Sequence, residues 1–271
     1  MKIEINENKK WQHSMTLKII LLAVMGLFLL IPLEMIKSII RERQQNSEKV
    51  RQEIAFQWAA RQTVSGPVLN IPVRIFPANK ETEPYISVYH LMPETLIISG
   101  EVQPEKRHKS IYQAVVYNSE LNLSGEFIVP EITSGQKNEI LWKEAYFTLG
   151  ISDNRGLKGS VAIKTDSMDI YAIPGLKDVQ VFSSGITFPF SLTGLDKNIP
   201  FEIHLDLSGS EELKFTPVGK ITRVSLSSPW NSPGFSGNFL PSSRTVNDSG
   251  FKADWLITNL NRSFPQIWSG I

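Results

Sequence analysis

Hydrophobic and polar positions divide the chain into one long apolar run near the N-terminus and many short segments after it. Residues 19–33 carry no charged side chain, and the apolar stretch extends over residues 17–40 with only three charged interruptions. As an α-helix, this stretch would be about 36 Å long at ~1.5 Å per residue. That length is enough to cross the ~30 Å hydrocarbon core of a bilayer. The pattern therefore predicts a transmembrane helix over residues 17–40.

A cleaved secretory signal would also begin with a short apolar run, but it needs small residues at a cleavage site just beyond it. Here large and charged residues follow over positions 34–41, and no Ala-x-Ala pattern occurs. A buried helix of a soluble protein would usually keep a polar face. We therefore predict an uncleaved signal anchor behind a cytoplasmic tail of residues 1–16. The basic residues are nearly balanced on the two flanks, so the positive-inside rule does not orient the span, and the short tail and large following domain favour a cytoplasmic N-terminus.

A second helical pattern follows the apolar run. Residues 34–61 contain good helix formers and no glycine, and Val50, Ile54 and Trp58 recur at a spacing of four, which places them on one side of a helix. We predict a juxtamembrane helix over residues 41–62 that leaves the membrane and lies against the following domain. Its charged residues are typical of a solvated helix face.

Beyond Gly66-Pro67 the pattern changes to short segments rich in Val, Ile, Thr, Tyr and Phe, separated by Gly and Pro. Such segments are typical of β-strands. The predicted strands cover residues 68–76, 85–91, 95–102, 110–117, 119–129, 145–152, 160–165, 186–192, 199–207, 212–217, 221–227 and 252–259.

The cleanest alternation predicts the fold class. Phe201, Ile203 and Leu205 alternate with polar residues, so one face of this strand should be buried and the other solvated. No long 3.6-residue periodicity follows residue 62. We therefore predict a mainly β fold, with antiparallel sheets packed as a sandwich-like periplasmic domain over residues 63–271.

Composition narrows the function classes without choosing one. The 271 residues carry 28 Lys and Arg against 27 Asp and Glu, and the basic residues are scattered. Without a basic stripe and interleaved aromatic residues, a nucleic-acid partner is not expected. The chain has no cysteine, so it forms neither disulfides nor zinc–thiolate sites, which is compatible with an oxidising periplasm.

Known catalytic and metal-binding patterns are missing from the sequence. No Gly-x-Ser-x-Gly elbow, P-loop or dinucleotide-binding glycine motif occurs. Asp166 and Asp169 could be imagined as a carboxylate pair for glycoside cleavage, but their spacing and neighbours favour a turn. The histidines are far apart and share no metal-ligand spacing; they are His13, His90, His108 and His204. We predict no catalytic residue, no cofactor and no metal site, and a protein that is not an enzyme.

One loop is unusual in composition. Residues 228–241 combine Trp230, Phe235 and Phe239 with three prolines and two glycines. The loop therefore carries three large aromatic side chains on a backbone that the prolines restrain. The functional interpretation is a surface that faces a partner or a membrane. The alternative is a loop packed across the end of the β domain. These three aromatic residues are the candidate interaction surface.

A series of short segments in a fixed order carries a family resemblance. It includes residues 65–72, which begin Ser-Gly-Pro-Val, and residues 110–117, which begin Ser-Ile-Tyr. Further members are found at 14–18, 31–33, 41–44, 91–96, 123–127, 150–156, 239–241, 248–255 and 260–262. Over residues 14–268 these segments resemble the CreD family of bacterial inner-membrane proteins, which is associated with cell envelope integrity. One departure is Lys109-Ser110, where the family usually has Arg-Gly before Ile-Tyr.

The resemblance implies an N-terminal span, a large periplasmic β-rich domain and further transmembrane helices beyond it. No second apolar run occurs before Ile271, so the chain is expected to be the front part of a longer protein. The implied partners are the lipid bilayer, the protein's own C-terminal transmembrane helices and an envelope protein or cell-wall component. The resemblance supplies no catalytic residue.

Three functions remain open from the sequence. The first is a non-enzymatic inner-membrane protein whose periplasmic β domain senses or binds another envelope component during stress. The second is an envelope hydrolase acting on a glycan or lipid, with polar residues assembled from distant strands. The third is a scaffold for the further transmembrane helices, with the activity in those helices.

Overall fold

The computed structural model describes residues 15–77, 83–131, 138–166, 168–193 and 197–270. Contacts between residues divide the chain into two units, with the boundary after Arg51. The first unit is helical, and the second contains the end of the helix and all the β-structure described.

Helix α1 extends over Met15–Trp58 without a break and includes Pro32, and its residues up to Arg51 belong to the N-terminal unit. Apolar side chains across its first 26 residues are exposed, and Glu34 and Lys37 form an ion pair with 2.7 Å between Oε1 and Nζ. Within the described residues, this is the one helix long and apolar enough to cross a membrane. The predicted apolar helix is thus confirmed. The helix continues into the predicted juxtamembrane region but ends at Trp58, so the predicted end at residue 62 was wrong: residues 59–61 are not helical and Gln62 begins the first strand.

The first sheet is built around a long central strand, β1, which contacts four neighbours. Its main path runs β16-β2-β1-β6-β10-β9, while β12 and β5 also pair with β1. All pairings are antiparallel except the parallel pairing of β12 with β1. The strands are β1 (Gln62–Ile75), β2 (Tyr85–Leu91), β5 (Glu139–Ile140), β6 (Tyr146–Ile151), β9 (Ile173–Pro174), β10 (Gly185–Pro189), β12 (Leu213–Thr216) and β16 (Ile267–Gly270).

The second sheet is dominated by a long hairpin and the strand that pairs along it. Its order is β14-β15-β13-β3-β4-β11-β7-β8, and only the pairing of β13 with β3 is parallel. The strands are β3 (Thr95–Lys109), β4 (Tyr112–Ile128), β7 (Ala162–Lys164), β8 (Asp169–Tyr171), β11 (Asn198–Ser210), β13 (Ile221–Ser228), β14 (Ser243–Asn247) and β15 (Gly250–Thr258). Short 3-10 helices lie at Trp142–Glu144, Asn154–Gly156 and Asn259–Asn261.

The two sheets pack face to face around one apolar core. Phe127 of the second sheet contacts Phe147 of the first, with ring centroids 5.4 Å apart, and it also contacts Phe201 of its own sheet at 5.2 Å. Such tilted ring pairs add to the burial of apolar area. Ile203 and Leu205 are fully buried while His204 between them is exposed. The predicted β sandwich and the predicted alternation along β11 are therefore confirmed.

Most predicted strands correspond to observed ones, with informative differences. Residues 110–117 and 119–129 were predicted as two strands, but β4 is a single strand that pairs with β3 and β11 along its length. The separation was wrong because the polar residues at 118–120 belong to a continuous strand rather than a turn: Asn118 and Glu120 lie on its solvated face, and Ser119 between them is buried. Four short strands, β5, β8, β9 and β14, and the terminal β16 were missed, since two to five residues carry too little periodicity.

The Ser-Gly-Pro-Val segment forms an irregular part of β1. The register between β1 and β6 shifts between Ser65 and Val68, as expected for a β-bulge. Gly66 has a φ of +110°, and a Cβ there would lie 3.0 Å from the carbonyl oxygen of Thr148. Only glycine tolerates this conformation easily.

The turn of the β3–β4 hairpin contains Ser110, at the position where the CreD family usually has glycine. Lys109 pairs with Tyr112, so Ser110 and Ile111 form a two-residue turn. Ser110 has a φ of +57°, which tight hairpin turns require at their first central position and which favours glycine. The serine is therefore held in a conformation that costs it ~1–2 kcal/mol.

We expect Ser110→Gly to raise the free energy of unfolding by up to about 1 kcal/mol. The relieved strain of ~1–2 kcal/mol exceeds the ~0.5–1 kcal/mol that glycine loses in chain entropy. Thermal unfolding of the detergent-solubilised chain, followed by circular dichroism, measures this change. Ile111→Gly is the matched control, since Ile111 is outside the positive-φ region, and it should lower stability. A destabilised Ser110→Gly variant would contradict the assignment of strain.

Candidate functional site

A cleft of about 640 Å³ lies at one end of the β sandwich, under the aromatic loop of residues 228–241. Its floor is the inner face of the second sheet, and its remaining wall is β12 with the two residues that precede it. The first sheet otherwise contributes only Thr63. The lining residues are Thr63, Val102, Pro104, Val115, Tyr117, Glu211, Glu212, Leu213, Lys214, Phe215, Thr216, Pro217, Val224, Leu226, Ser228, Trp230, Phe251, Trp255, Ile257 and residues 233–239.

The aromatic loop packs against β15 rather than projecting into solvent. The Phe235 ring stands edge-on to Phe251 and Trp255, with centroid distances of 5.6 Å and 5.8 Å. The Trp255 indole Nε1 donates a hydrogen bond to the carbonyl oxygen of Phe239 at 3.3 Å. Trp230, Phe235 and Phe239 are each half-buried and all three line the cleft. The structure therefore brings the three predicted interaction residues together at one cavity.

Local sequence explains how the loop holds this position. Pro229, Pro233 and Pro241 fix their own φ angles and reduce the freedom of the loop. The Trp230 amide donates to Ser228 Oγ at 3.2 Å, and the Trp230 indole donates to the carbonyl oxygen of Ser232 at 2.9 Å. These bonds turn the chain back over the end of β13.

The charges around the cleft are unevenly compensated. The two carboxylates in its lining are ion-paired: Glu211 with Arg61 at 2.6 Å and Glu212 with Lys214 at 2.8 Å. Two further cations lie over aromatic rings of the loop. Lys106 Nζ is 5.4 Å from the Trp230 ring centroid, and the Arg244 guanidinium is 5.8 Å from that of Phe235. Both distances are within the range of cation–π attraction.

A separate polar cluster lies on the first sheet, on the face opposite to the core. Strand pairing places Trp268, His90, Asn70 and Tyr146 in one row across four strands. His90 is fully buried, and its Nδ1 is 2.7 Å from Asn70 Oδ1. Its Nε2 is 3.7 Å from a carboxylate oxygen of Asp178 and makes no hydrogen bond. No motif in the sequence connects His90 with these residues, because they come together only through strand pairing.

The hydrogen bonds define the state of His90. The Asn70 amide nitrogen donates to Thr148 Oγ1 at 2.5 Å and to the carbonyl oxygens of Val68 and Tyr146. Asn70 Oδ1 is therefore the acceptor for His90, which carries its proton on Nδ1. Burial lowers the pKa of His90, and the Asp178 carboxylate opposes part of that shift. Burial and Asp178 together raise the pKa of the neighbouring Tyr146 to about 12.

We expect the stability of the β domain to decrease as the pH falls below about 6.5. Histidine in the unfolded chain takes up a proton near its ordinary pKa of 6.5, whereas folded His90 takes it up only at lower pH. The unfolded state then binds more protons, which favours unfolding. Denaturant unfolding of the detergent-solubilised chain at pH 7.5 and 5.5 measures this difference.

Two variants test the assignment to His90. His90→Asn keeps a donor toward Asn70 but does not titrate, so its stability should change less between the two pH values. His108→Asn, at an exposed position of the hairpin, should keep the pH dependence of the parent chain. Equal pH dependence in the parent and in His90→Asn would show that another group is responsible.

The remaining sequence candidates do not assemble into a site. His204 is exposed on β11, where Nδ1 lies 2.8 Å from Asn122 Oδ1 and Nε2 lies 3.2 Å from Asp206. Asp166 follows β7, and Asp169 begins β8, with the Thr165 amide donating to the Met168 carbonyl between them. His13 lies outside the described residues. Among the described residues, no three His, Asp or Glu side chains are close enough to hold a metal ion.

The segment at 150–156, part of the family resemblance, has a structural role at the start of the β domain. The buried Gln62 amide donates to the carbonyl oxygens of Asp153 and Ser208 at 2.9 Å and 3.1 Å. The Ala60 amide donates to the Asp153 carboxylate at 2.9 Å, and the Arg155 guanidinium lowers the pKa of Asp153 to about 2. A Cβ at Gly156 would lie 2.2 Å from the carbonyl oxygen of Ser208. This network fixes the chain where it enters β1.

Fold and cleft together define a class of protein: a β-sandwich domain with a binding-sized cavity, preceded by one helix suited to crossing a membrane. The family described as inner membrane protein CreD matches residues 14–270. The chain belongs to this family. It is 29% identical over 235 residues to the inner membrane protein CreD of Escherichia coli strain K12. The match covers 84% of this chain and 52% of that relative, so the chain spans about half the length of the curated protein it matches.

Proposed function

We propose that the protein is a non-enzymatic component of the bacterial inner membrane whose β domain lies in the periplasm and binds another envelope component, in support of envelope integrity. Family membership supports the inner membrane, and the apolar helix supplies the anchor. The periplasmic placement follows the orientation expected for a short tail before a large exported domain.

The cleft is the single observation that carries the binding role. Its volume of about 640 Å³ is within the ~300–1,000 Å³ of ligand pockets, which are mostly apolar with a few polar groups. Trp230 and Phe235 place large aromatic surfaces at its edge without a sealed core around them. Aromatic side chains at such positions contribute strongly to binding because they bury much area at low entropy cost.

The described residues support the hydrolase hypothesis less than they support the binding role. The buried His90 has no exposed surface and its Nε2 makes no hydrogen bond, and the exposed His204, with Nε2 3.2 Å from Asp206, lies on β11 outside the cleft. A general base must reach the proton that it abstracts. The carboxylates of the cleft, Glu211 and Glu212, are each held by a cation.

The scaffold hypothesis is compatible with the binding role. The Escherichia coli relative is about twice as long as the part matched here, and the family resemblance implies further transmembrane helices. In this proposal those helices are partners of the β domain in the full-length protein, and the cleft supplies the contact with the envelope.

The absence of cysteine allows a direct test of orientation. Asn238→Cys places a thiol on the exposed aromatic loop, and Lys9→Cys places one in the N-terminal tail. In cells with a permeabilised outer membrane, a membrane-impermeant maleimide should label Asn238→Cys but label Lys9→Cys only after the inner membrane is broken. The reverse pattern would place the β domain in the cytosol and overturn the proposal.

The binding role predicts a phenotype for the cleft. In cells that depend on the full-length protein, Trp230→Ala with Phe235→Ala should lower survival in bile salts or low-level detergent, because the edge of the cleft loses its aromatic surface. Tyr171→Ala, at a 64% exposed position of the distant strand β8, is the matched control and should behave like the parent. Immunoblots confirm equal protein levels. Full survival of the double variant at a normal protein level would count against binding at this cleft.

A further inference from the structure

The walls of the cleft are of two kinds. Its floor on the inner face of the second sheet has an aliphatic part, formed by Val102, Val224, Leu226 and Ile257, beside the aromatic Tyr117, Phe251 and Trp255. Its opposite side is aromatic, with Trp230 and Phe235 half-buried at the edge. Surfaces of this kind offer dispersion contacts and water exclusion but few hydrogen bonds, so they favour a flexible hydrocarbon over a polar glycan.

The residues at the rim of the cleft give it a positive charge. The carboxylates of Glu211 and Glu212 are neutralised by Arg61 and Lys214, and Glu105 near the rim is paired with Arg107 at 2.9 Å. Lys106 and Arg244 have ring contacts and, within the described residues, no carboxylate within 4.0 Å. Among the described residues, the edge of the aromatic wall therefore carries two positive charges without an ion-paired carboxylate, and these complement an anion.

We propose that the cleft binds an acyl chain that ends in an anionic headgroup, with the chain along the aliphatic part of the floor and the headgroup beside Lys106 and Arg244. This inference rests on the proposed function and names its ligand class. The same chemistry is found in a free fatty acid and in an anionic phospholipid, and the experiment separates these sources. Binding is non-covalent.

Photo-crosslinking of the full chain in phosphatidylcholine nanodiscs tests the proposal. Three diazirine probes are added separately: a palmitic acid analogue, a phosphatidylglycerol with a diazirine acyl chain and a neutral monoacylglycerol. Mass spectrometry then locates the labelled peptides. Every probe should label α1, which acts as an internal control, and at least one anionic probe should also label residues 228–241 and 250–258, more strongly than the neutral probe does.

Variants assign the labelling to the cleft and its charges. Lys106→Gln with Arg244→Gln should reduce labelling of the cleft peptides by the anionic probe about fivefold to tenfold, as expected when two exposed charge contacts are lost. Lys164→Gln, an exposed position on β7, should leave it unchanged. Val224→Phe should abolish it by filling the cleft, and if that variant does not fold, the two surface variants still decide the result.

The outcomes are separable. Labelling by palmitate alone identifies a free fatty acid, and labelling by phosphatidylglycerol identifies a membrane lipid; both support the proposal. Labelling confined to α1, or cleft labelling that is equal for the neutral probe and insensitive to the charge variants, overturns it. If the cysteine and survival experiments succeed while the cleft stays unlabelled, the periplasmic binding role stands and the ligand assignment fails.

Discussion

The apolar inner face of the second sheet must be covered, and this requirement shapes the molecule. Removing apolar area from water contributes roughly 25 cal/mol per Å², and Phe127 and Ile203 obtain full burial from the opposing sheet. At the end formed by β3, β13 and β15, the first sheet contributes little more than β12. The aromatic loop covers this end by packing Phe235 on Phe251 and Trp255, and a cleft remains between them.

The apolar surface of helix α1 must also be removed from water. Its apolar side chains are exposed across the 26 residues from Met15, and the helix is long and apolar enough for the hydrocarbon of a bilayer to cover them. The family relationship to an inner membrane protein agrees with this covering. In the proposed role, the apolar, positively edged cleft meets amphiphilic components of the envelope, whereas the buried His90 cluster holds the first sheet together.

The pattern of hydrophobic and polar residues predicted the elements whose structure depends on neighbouring residues in the sequence. The run over residues 17–40 predicted the helix, and the alternation around Ile203 predicted a half-buried strand, because both periods are visible in consecutive residues. The cleft was not predictable in this way: Val102, Leu213 and Trp255 meet there from distant parts of the chain. The parallel pairing of β12 with β1 likewise depends on non-local contacts. Loop composition did identify Trp230, Phe235 and Phe239, but it could not show that they line a cavity.

Chemical accessibility of the cleft floor distinguishes an open end of the sandwich from a closed one. Because the chain has no cysteine, Leu226→Cys reports the floor, and Ile203→Cys reports the closed core between the sheets. Leu226 is 8% exposed and lines the cleft, whereas Ile203 is 0% exposed. We expect a small methanethiosulfonate reagent to modify Leu226→Cys in the folded protein and to modify Ile203→Cys only after denaturation. Equal protection of the two thiols would show that the sandwich is closed at this end and that no open cleft exists there.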